Sequence, residues 1–179
     1  MKVNNITFSY GDNTVLENYS LDINDKVTCV MGPSGRGKTT LLKIIAGLLK
    51  PECGTLENAP EKPSMMFQED RLLPWVSVLK NVELVCDDET KAGELLGELE
   101  IDGNLYPHEL SGGMARRVTL ARCLALDSDV LLLDEPFTGL NPQLIQKAAK
   151  LILKQNKQVI VSTHSLDEVE ALKGTIETL

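Results

Sequence analysis

The sequence GPSGRGKTT, residues 32–40, stands between two segments of different hydrophobic periodicity. Before it, VTCVM (residues 27–31) is a short apolar run without polar alternation, which is typical of a strand covered on both faces. After it, apolar residues recur at i, i+3, i+4, i+7 and i+8 over residues 41–49, the spacing of a helix with one buried side. The stretch therefore predicts a strand, a glycine-rich turn and a helix in direct succession.

This turn matches the pattern G-x-x-x-x-G-K-[ST] of phosphate-binding loops. Gly32, Gly35 and Gly37 allow backbone N–H groups to curl around a phosphate without Cβ interference, and the helix N-terminus adds free donors. Lys38 is expected to reach the β- and γ-phosphates of a nucleotide, and the Thr39 hydroxyl to ligate Mg²⁺. The predicted nucleotide site comprises Gly32, Pro33, Ser34, Gly35, Arg36, Gly37, Lys38, Thr39 and Thr40.

Other segments place this loop in an α/β protein. VLLL (residues 130–133) and VIVS (residues 159–162) are apolar runs like the first, so we expect a mainly parallel sheet. Polar and apolar residues alternate over residues 6–10 and again over 19–23, which predicts an N-terminal antiparallel β portion, half buried. Residues 144–152 repeat the helical pattern. The expected fold is a P-loop NTPase core with these two β portions.

Strand signals vanish between about residues 69 and 110, where the apolar positions of residues 92–99 follow a helical spacing. We therefore predict a helical subdomain, about residues 69–110, inserted into a core of residues 1–68 and 111–179. No repeat or linker divides the chain, so residues 1–179 form a single predicted domain.

Composition restricts the class of protein. The chain has 179 residues, 42% hydrophobic and 25% charged, enough for one buried core, and its net charge of -8 argues against a nucleic-acid partner. Four scattered cysteines without a C-x-x-C pair favour neither zinc nor disulfides. There is no run of eighteen apolar residues and no basic-then-apolar leader, so we expect neither a membrane span nor a signal peptide, and a cytoplasmic location.

An acidic pair follows the second apolar run. Asp134 and Glu135 stand at its end, and parallel sheets deliver such side chains to the crevice above their carboxyl edge. Beside a phosphate loop, Asp134 is expected to hold the Mg²⁺ shell, and Glu135 to position or deprotonate an attacking water.

LSGGM, residues 110–114, begins 24 residues before Asp134 and resembles the LSGGQ signature of ATP-binding cassette (ABC) ATPases. With Tyr10, Gln68, residues 138–141 and His164 in the family's order, the chain is identified as resembling ABC transporter ATPase subunits over nearly its whole length.

The resemblance implies further roles. Tyr10 stacks on adenine, Gln68 touches Mg²⁺ or water and couples the core to the helical subdomain, and His164 contacts the γ-phosphate. A second set belongs to the site of the opposite subunit: Ser111, Gly112 and Gly113. The implied cofactors are ATP and Mg²⁺. The implied partners are a second copy or paired ABC subunit, a transmembrane permease that holds the chain at the inner face of the membrane, and an extracellular substrate-binding protein.

Local signals predict two helix starts. The residues after Gly113 predict a helix over residues 115–126, and Ser165 and Glu168 have the S-x-x-E spacing of a capping box for the last helix.

Three departures from the family pattern are visible: Met114 replaces the signature glutamine, Asn141 replaces the usual aspartate of residues 138–141, and the chain is short. The segments FQEDRLLPWVSVLKNV (67–82) and YPHELSGGM (106–114) resemble the subfamily of nitrate, sulfonate and taurine importers, which suggests import of a small anion. Residues 71–75 are either a permease contact or a packed loop.

Three alternatives remain open at this point. They are an exporter ATPase, an ABC ATPase acting on nucleic acid or ribosomes, and a subunit that no longer hydrolyses, which Asn141 makes conceivable; Glu135 and His164 argue against the last.

Overall fold

The computed structural model describes the whole chain, Met1–Leu179. Strands and helices follow in the order β1 (Lys2–Tyr10), β2 (Asn13–Asp22), β3 (Val27–Met31), α1 (Lys38–Ile45), β4 (Cys53–Glu57), β5 (Pro63–Met66), α2 (Val78–Cys86), α3 (Glu89–Glu98), α4 (Gly112–Ala125), β6 (Val130–Asp134), α5 (Pro142–Lys154), β7 (Gln158–Thr163), α6 (Leu166–Leu172) and β8 (Thr175–Thr178), with a 3₁₀ turn at Pro107–Glu109 before α4. None of the helices combines the length and the apolar composition needed to cross a bilayer.

The N-terminal strands form an antiparallel sheet of three strands in the order β2-β1-β4. On β1, Val3, Ile6 and Phe8 are buried, while Tyr10 at the end of the strand is half exposed. The antiparallel β portion expected from the alternating pattern is therefore confirmed.

The second sheet is parallel throughout, with five strands in the order β5-β6-β7-β3-β8. Its three central strands are the three apolar runs of the sequence, and the α/β class is confirmed. Met31 pairs with Thr163, and Asp134 with Ser162, so the carboxyl ends of β3, β6 and β7 lie at one edge. The segments that follow these strands therefore meet there, although they are far apart in sequence.

Helices cover both faces of this sheet because side chains on a strand point alternately to opposite faces. One row packs with α1: Val30, Val130, Leu132 and Ile160 join Leu41, Leu42, Ile44 and Ile45. The other row joins the buried faces of α4 and α5: Cys29, Leu131, Leu133, Val159 and Val161 pack with residues such as Val118, Leu124 and Ala148.

Helices α2 and α3 contact each other and both contact α4. The stripe expected over residues 92–99 is buried as Ala92, Leu95, Leu96 and Leu99. Helix α4 is thus the helix against which α2 and α3 pack, although it follows residue 110. The boundary of a helical subdomain at about residue 110 stays a prediction.

Two helix boundaries differ from expectation. Helix α1 ends at Ile45 because Gly47 adopts a φ of +71°, and Leu48, expected on the buried stripe, is 55% exposed. Helix α4 begins at Gly112 and not at residue 115, because the Ser111 hydroxyl caps it by accepting the Met114 N–H at 3.3 Å.

Candidate nucleotide site

The phosphate-type loop joins β3 to α1 as its sequence predicts. Gly35 and Gly37 have φ values of +80° and +99°, and a Cβ on Gly37 would lie 2.8 Å from Val15 Cγ1. Gly37 offers no side-chain cap, so the first N–H groups of α1 have no partner from a capping side chain. Lys38 is buried and its Nζ donates to the carbonyl oxygens of Gly32 (2.7 Å) and Pro33 (2.9 Å). The ammonium group is thereby held across the mouth of the loop.

A cleft of about 350 Å³ lies in front of this loop. It brings together nine of the predicted site residues: Tyr10, Ser34, Gly35, Gly37, Lys38, Thr39, Thr40, Gln68 and Glu135. Tyr10 is 50% exposed and packs edge-on against Phe8, so one side of its ring is free to receive a flat base. Arg36 instead lines a separate groove beside Tyr19.

The predicted metal ligands meet behind the cleft. Asp134 is 1% exposed, and its Oδ2 accepts the Thr39 hydroxyl at 2.7 Å, which joins the start of α1 to the end of β6. Its Oδ1 accepts the hydroxyl of Ser162, a buried residue of β7 that the sequence analysis did not single out. The set of hydroxyl and carboxylate oxygens, with the Gln68 amide in the same cleft, has the chemistry that Mg²⁺ prefers.

Glu135 occupies a conformation that is rare for a residue with a side chain, with φ at +49°. Its N–H donates to the Ser162 hydroxyl at 3.0 Å and lies 3.1 Å from the Ser162 carbonyl. The carboxylate, one fifth exposed, lies 4.0 Å from His164 Nδ1, beyond hydrogen-bond distance. His164 is largely exposed. Glu135 lines the cleft of the phosphate loop, and His164 does not.

The capping box predicted at Ser165 does not form. The Ser165 side chain accepts no cap hydrogen bond, and Glu168 accepts the Thr163 hydroxyl instead, while that hydroxyl receives the Ser165 N–H at 3.1 Å. Burial raises the pKa of the Glu168 carboxyl above its usual range. The local pattern failed because the Thr163 hydroxyl, two residues earlier at the end of β7, competes for the same carboxylate.

The two glycines of the signature line a neighbouring cleft. A second cleft of about 360 Å³ is lined by Gly112 and Gly113, and it shares Gln68 and Glu135 with the first. A Cβ on Gly113 would lie 2.7 Å from the carbonyl oxygen of Gly139, so the signature and the segment 138–141 touch within one chain. Ser111, Gly112 and Gly113 do not line the cleft of the phosphate loop.

Arg116 is the main residue of the site that the sequence analysis missed. It is 4% exposed, and its guanidinium donates to four backbone carbonyl oxygens, those of Phe67, Gln68, Asp134 and Glu135. It also lies 3.4 Å from Asp70 Oδ1. The sequence did contain a signal for it. Arg116 lies four and eight residues before Leu120 and Leu124, on the buried face of α4, where a charged side chain needs polar partners.

Comparison with known proteins gives one consistent family. The sequence profile described as ABC transporter matches residues 16–138. An aliphatic sulfonates import ATP-binding protein, SsuB 3 of Paraburkholderia xenovorans (strain LB400), is 41% identical over 93% of this chain and 71% of its own length. The intermembrane phospholipid transport system ATP-binding protein MlaF of Haemophilus influenzae (strain ATCC 51907 / DSM 11121 / KW20 / Rd) is 38% identical over 94% of this chain and 76% of its own length.

A solved structure resembles the fold closely. The ATP-binding cassette MJ0796, in a dimeric post-hydrolysis state bound to ADP and Pi, superposes with a TM-score of 0.86 at 30% identity, covering 99% of this chain and 93% of that one.

Proposed function

Because this chain belongs to the ABC transporter ATPase family, we propose that it powers a separate membrane permease for the import of a small anion, such as a sulfonate, taurine or nitrate. The chain is an ATPase that uses ATP and Mg²⁺. The observation that carries the assignment of its site is the Thr39–Asp134 hydrogen bond, which joins the phosphate loop to the acidic pair beside the cleft that Glu135 lines.

Different residues of the cleft bind different parts of the nucleotide. Tyr10 offers its exposed ring to adenine, and the loop from Gly32 to Thr40 cradles the phosphates. Lys38 exchanges its two carbonyl partners for phosphate oxygens. Thr39, Gln68 and Asp134 would hold Mg²⁺, which would supply positive charge opposite the phosphates.

Hydrolysis is assigned to Glu135, whose carboxylate orients the attacking water and draws a proton from it. The backbone at Glu135 is fixed by Ser162 on one side and Arg116 on the other, so the carboxylate is aimed into the cleft by contacts of its own main chain. His164 lies 4.0 Å from it and contacts the terminal phosphate when the site closes. Gln68 lines both clefts, so its side chain would respond to the same closure.

A complete site requires a second chain. Gly112 and Gly113 line a cleft other than that of the phosphate loop, and they form the first turn of α4, whose free N–H groups suit an anion. We propose that Ser111, Gly112 and Gly113 close on the terminal phosphate held by the partner, as the dimeric state of the related cassette supports.

Sedimentation of Glu135→Gln with ATP and Mg²⁺ tests this arrangement, since that variant retains the acceptor oxygen but not the carboxylate. It should form a stable dimer and turn over at least about 100-fold more slowly, the range expected when a general base is removed. A variant that stays monomeric under conditions in which the wild-type chain hydrolyses ATP would contradict the two-chain site.

The helical insertion is the proposed permease contact. Trp75 is 73% exposed, and Arg71 in the same segment lines a hollow of about 220 Å³ together with Phe67 and Arg122. Exposed apolar surface in the segment that follows Gln68 suits a docking partner. Through the permease, the chain would sit at the inner face of the membrane, with residues about 69–110 as the subdomain that transmits the contact.

The cargo follows from relatives and not from this site. The sulfonate relative at 41% identity supports anion import, and the phospholipid relative at 38% shows that a similar ATPase serves a different system. We infer an extracellular substrate-binding protein that selects the anion. Deletion of the gene should abolish growth on taurine or an alkanesulfonate as sole sulfur source while growth on cysteine continues. Unchanged growth on both sulfonates would remove that assignment and leave the ATPase site intact.

A further inference from the structure

Ser162 is a polar residue in a row of apolar ones. It is 0% exposed and lies on the face of β7 that carries Ile160, which packs against α1. An apolar side chain would suit this position. A buried hydroxyl without a partner costs free energy, so its presence calls for polar partners nearby.

Both partners of the hydroxyl belong to the acidic pair. Ser162 Oγ donates to Asp134 Oδ1 and accepts the Glu135 N–H at 3.0 Å. The other carboxylate oxygen of Asp134 accepts the Thr39 hydroxyl. The terminal torsion of an aspartate is soft, and here one donor on each oxygen fixes it.

The two donors differ in what happens to them when the site is loaded. Thr39 is itself a proposed metal ligand through its hydroxyl oxygen, so the position of this donor would also depend on the ion. Ser162 lies in the sheet behind the site and keeps its contacts. It is then the side chain that holds the carboxylate of Asp134 and, through the same hydroxyl, the backbone of Glu135.

We propose that Ser162 is a positioning residue for metal binding: its buried hydroxyl presets the orientation of the Asp134 carboxylate and links it to the Glu135 main chain. The inference rests on the proposed function, because it assigns a cause to the geometry of that same site. It predicts that loss of the hydroxyl weakens the binding of the divalent ion and leaves metal-free nucleotide binding unaltered.

The test compares Ser162→Thr with Ser162→Val, which have the same shape and differ in one hydroxyl. Mn²⁺ binding to protein loaded with a non-hydrolysable ATP analogue is followed by electron paramagnetic resonance. Ser162→Val should raise the Kd for Mn²⁺ about tenfold and Ser162→Thr by less than about threefold, the scale of one hydrogen bond to a charged group. Affinity for the analogue in EDTA should stay within about twofold for both.

Ser64→Ala is the matched control. Ser64 is also buried on a strand of the parallel sheet, but its hydroxyl donates to the Cys123 carbonyl, so the variant should bind Mn²⁺ like the wild type. If Ser162→Val does not fold by circular dichroism, Ser162→Ala takes its place with the same expectation. Equal Mn²⁺ affinity in the wild type and the hydroxyl-free variant would overturn the inference, as would equal weakening by Thr and Val. A wild-type chain that binds neither analogue nor Mn²⁺ would instead contradict the proposed function.

Discussion

Replacing Arg116 with methionine removes a buried guanidinium while keeping most of its apolar stem. Four backbone carbonyl oxygens then lose a charged donor: those of Phe67, Gln68, Asp134 and Glu135. At about 1 kcal/mol for each carbonyl, the free energy of unfolding should fall by about 4 kcal/mol. For a chain of this size that corresponds to a decrease in Tm of about 12 °C.

Two arginines of the same helix calibrate this estimate. Arg122 donates to one carbonyl, that of Arg71, so Arg122→Met should lower the Tm by about 3 °C. Arg117 donates to the carbonyls of Gly113, Leu99 and Glu100, and Arg117→Met should fall between the two. Differential scanning calorimetry without nucleotide, with reversibility checked by a second scan, gives the three values under identical conditions.

Activity provides an independent readout for Arg116. Arg116 donates to the main-chain carbonyl of Glu135, a residue with the strained φ of +49°. In Arg116→Met, the fall in kcat should therefore be larger than the rise in KM. Arg116→Lys keeps the charge with fewer donors and should restore part of both properties. The reasoning is refuted if Arg116→Met and Arg122→Met melt within about 2 °C of each other, because the number of carbonyls would then not determine the loss.

Three other substitutions test separate parts of the site. Lys38→Ala should weaken ATP binding by at least about 100-fold in a fluorescence titration, because phosphate charge is left without its ammonium partner; Lys26→Ala, at the opposite edge of the sheet, should bind normally, and full affinity in Lys38→Ala would exclude the assigned loop. Asn141→Asp preserves the cap on Leu144 N–H, so it should change the ATPase rate more than the Tm; a Tm shift of several degrees at constant rate would make Asn141 a helix cap only. Glu168 has a raised pKa in the folded state, so its contribution to stability is present below the unfolded pKa of about 4.5 and is lost as pH rises through the folded value; Glu168→Gln should therefore flatten the decline of Tm as the pH rises above about 4.5, and parallel curves would contradict it.

Much of the fold follows from periodicity alone. The runs at residues 27–31, 130–133 and 159–162 are the three central strands of the parallel sheet, because only strands covered on both faces lack polar alternation. Their order is not contained in any local pattern. It depends on which crossovers pack, and so the neighbours β6 and β7 became known only from the structure.

The site divides in the same way. The phosphate loop and the acidic pair have fixed spacings that local sequence reveals, and the structure brings Thr39 and Asp134 into contact. Arg116 and Ser162 act through main-chain groups of remote segments, and no spacing encodes such contacts. The capping box at Ser165 failed for the opposite reason. Its residues have the right spacing, but Glu168 accepts the Thr163 hydroxyl instead of pairing with Ser165.

At Gly113 and Gly139, the start of α4 and the segment 138–141 approach each other backbone to backbone. A single methyl group on Gly113 would lie 2.7 Å from the Gly139 carbonyl oxygen, and Gly139 itself needs a φ of +77°. A side chain at residue 113 would therefore push the two loops apart. Because the two main chains touch directly, a change in the position of one segment would be passed to the other without an intervening side chain.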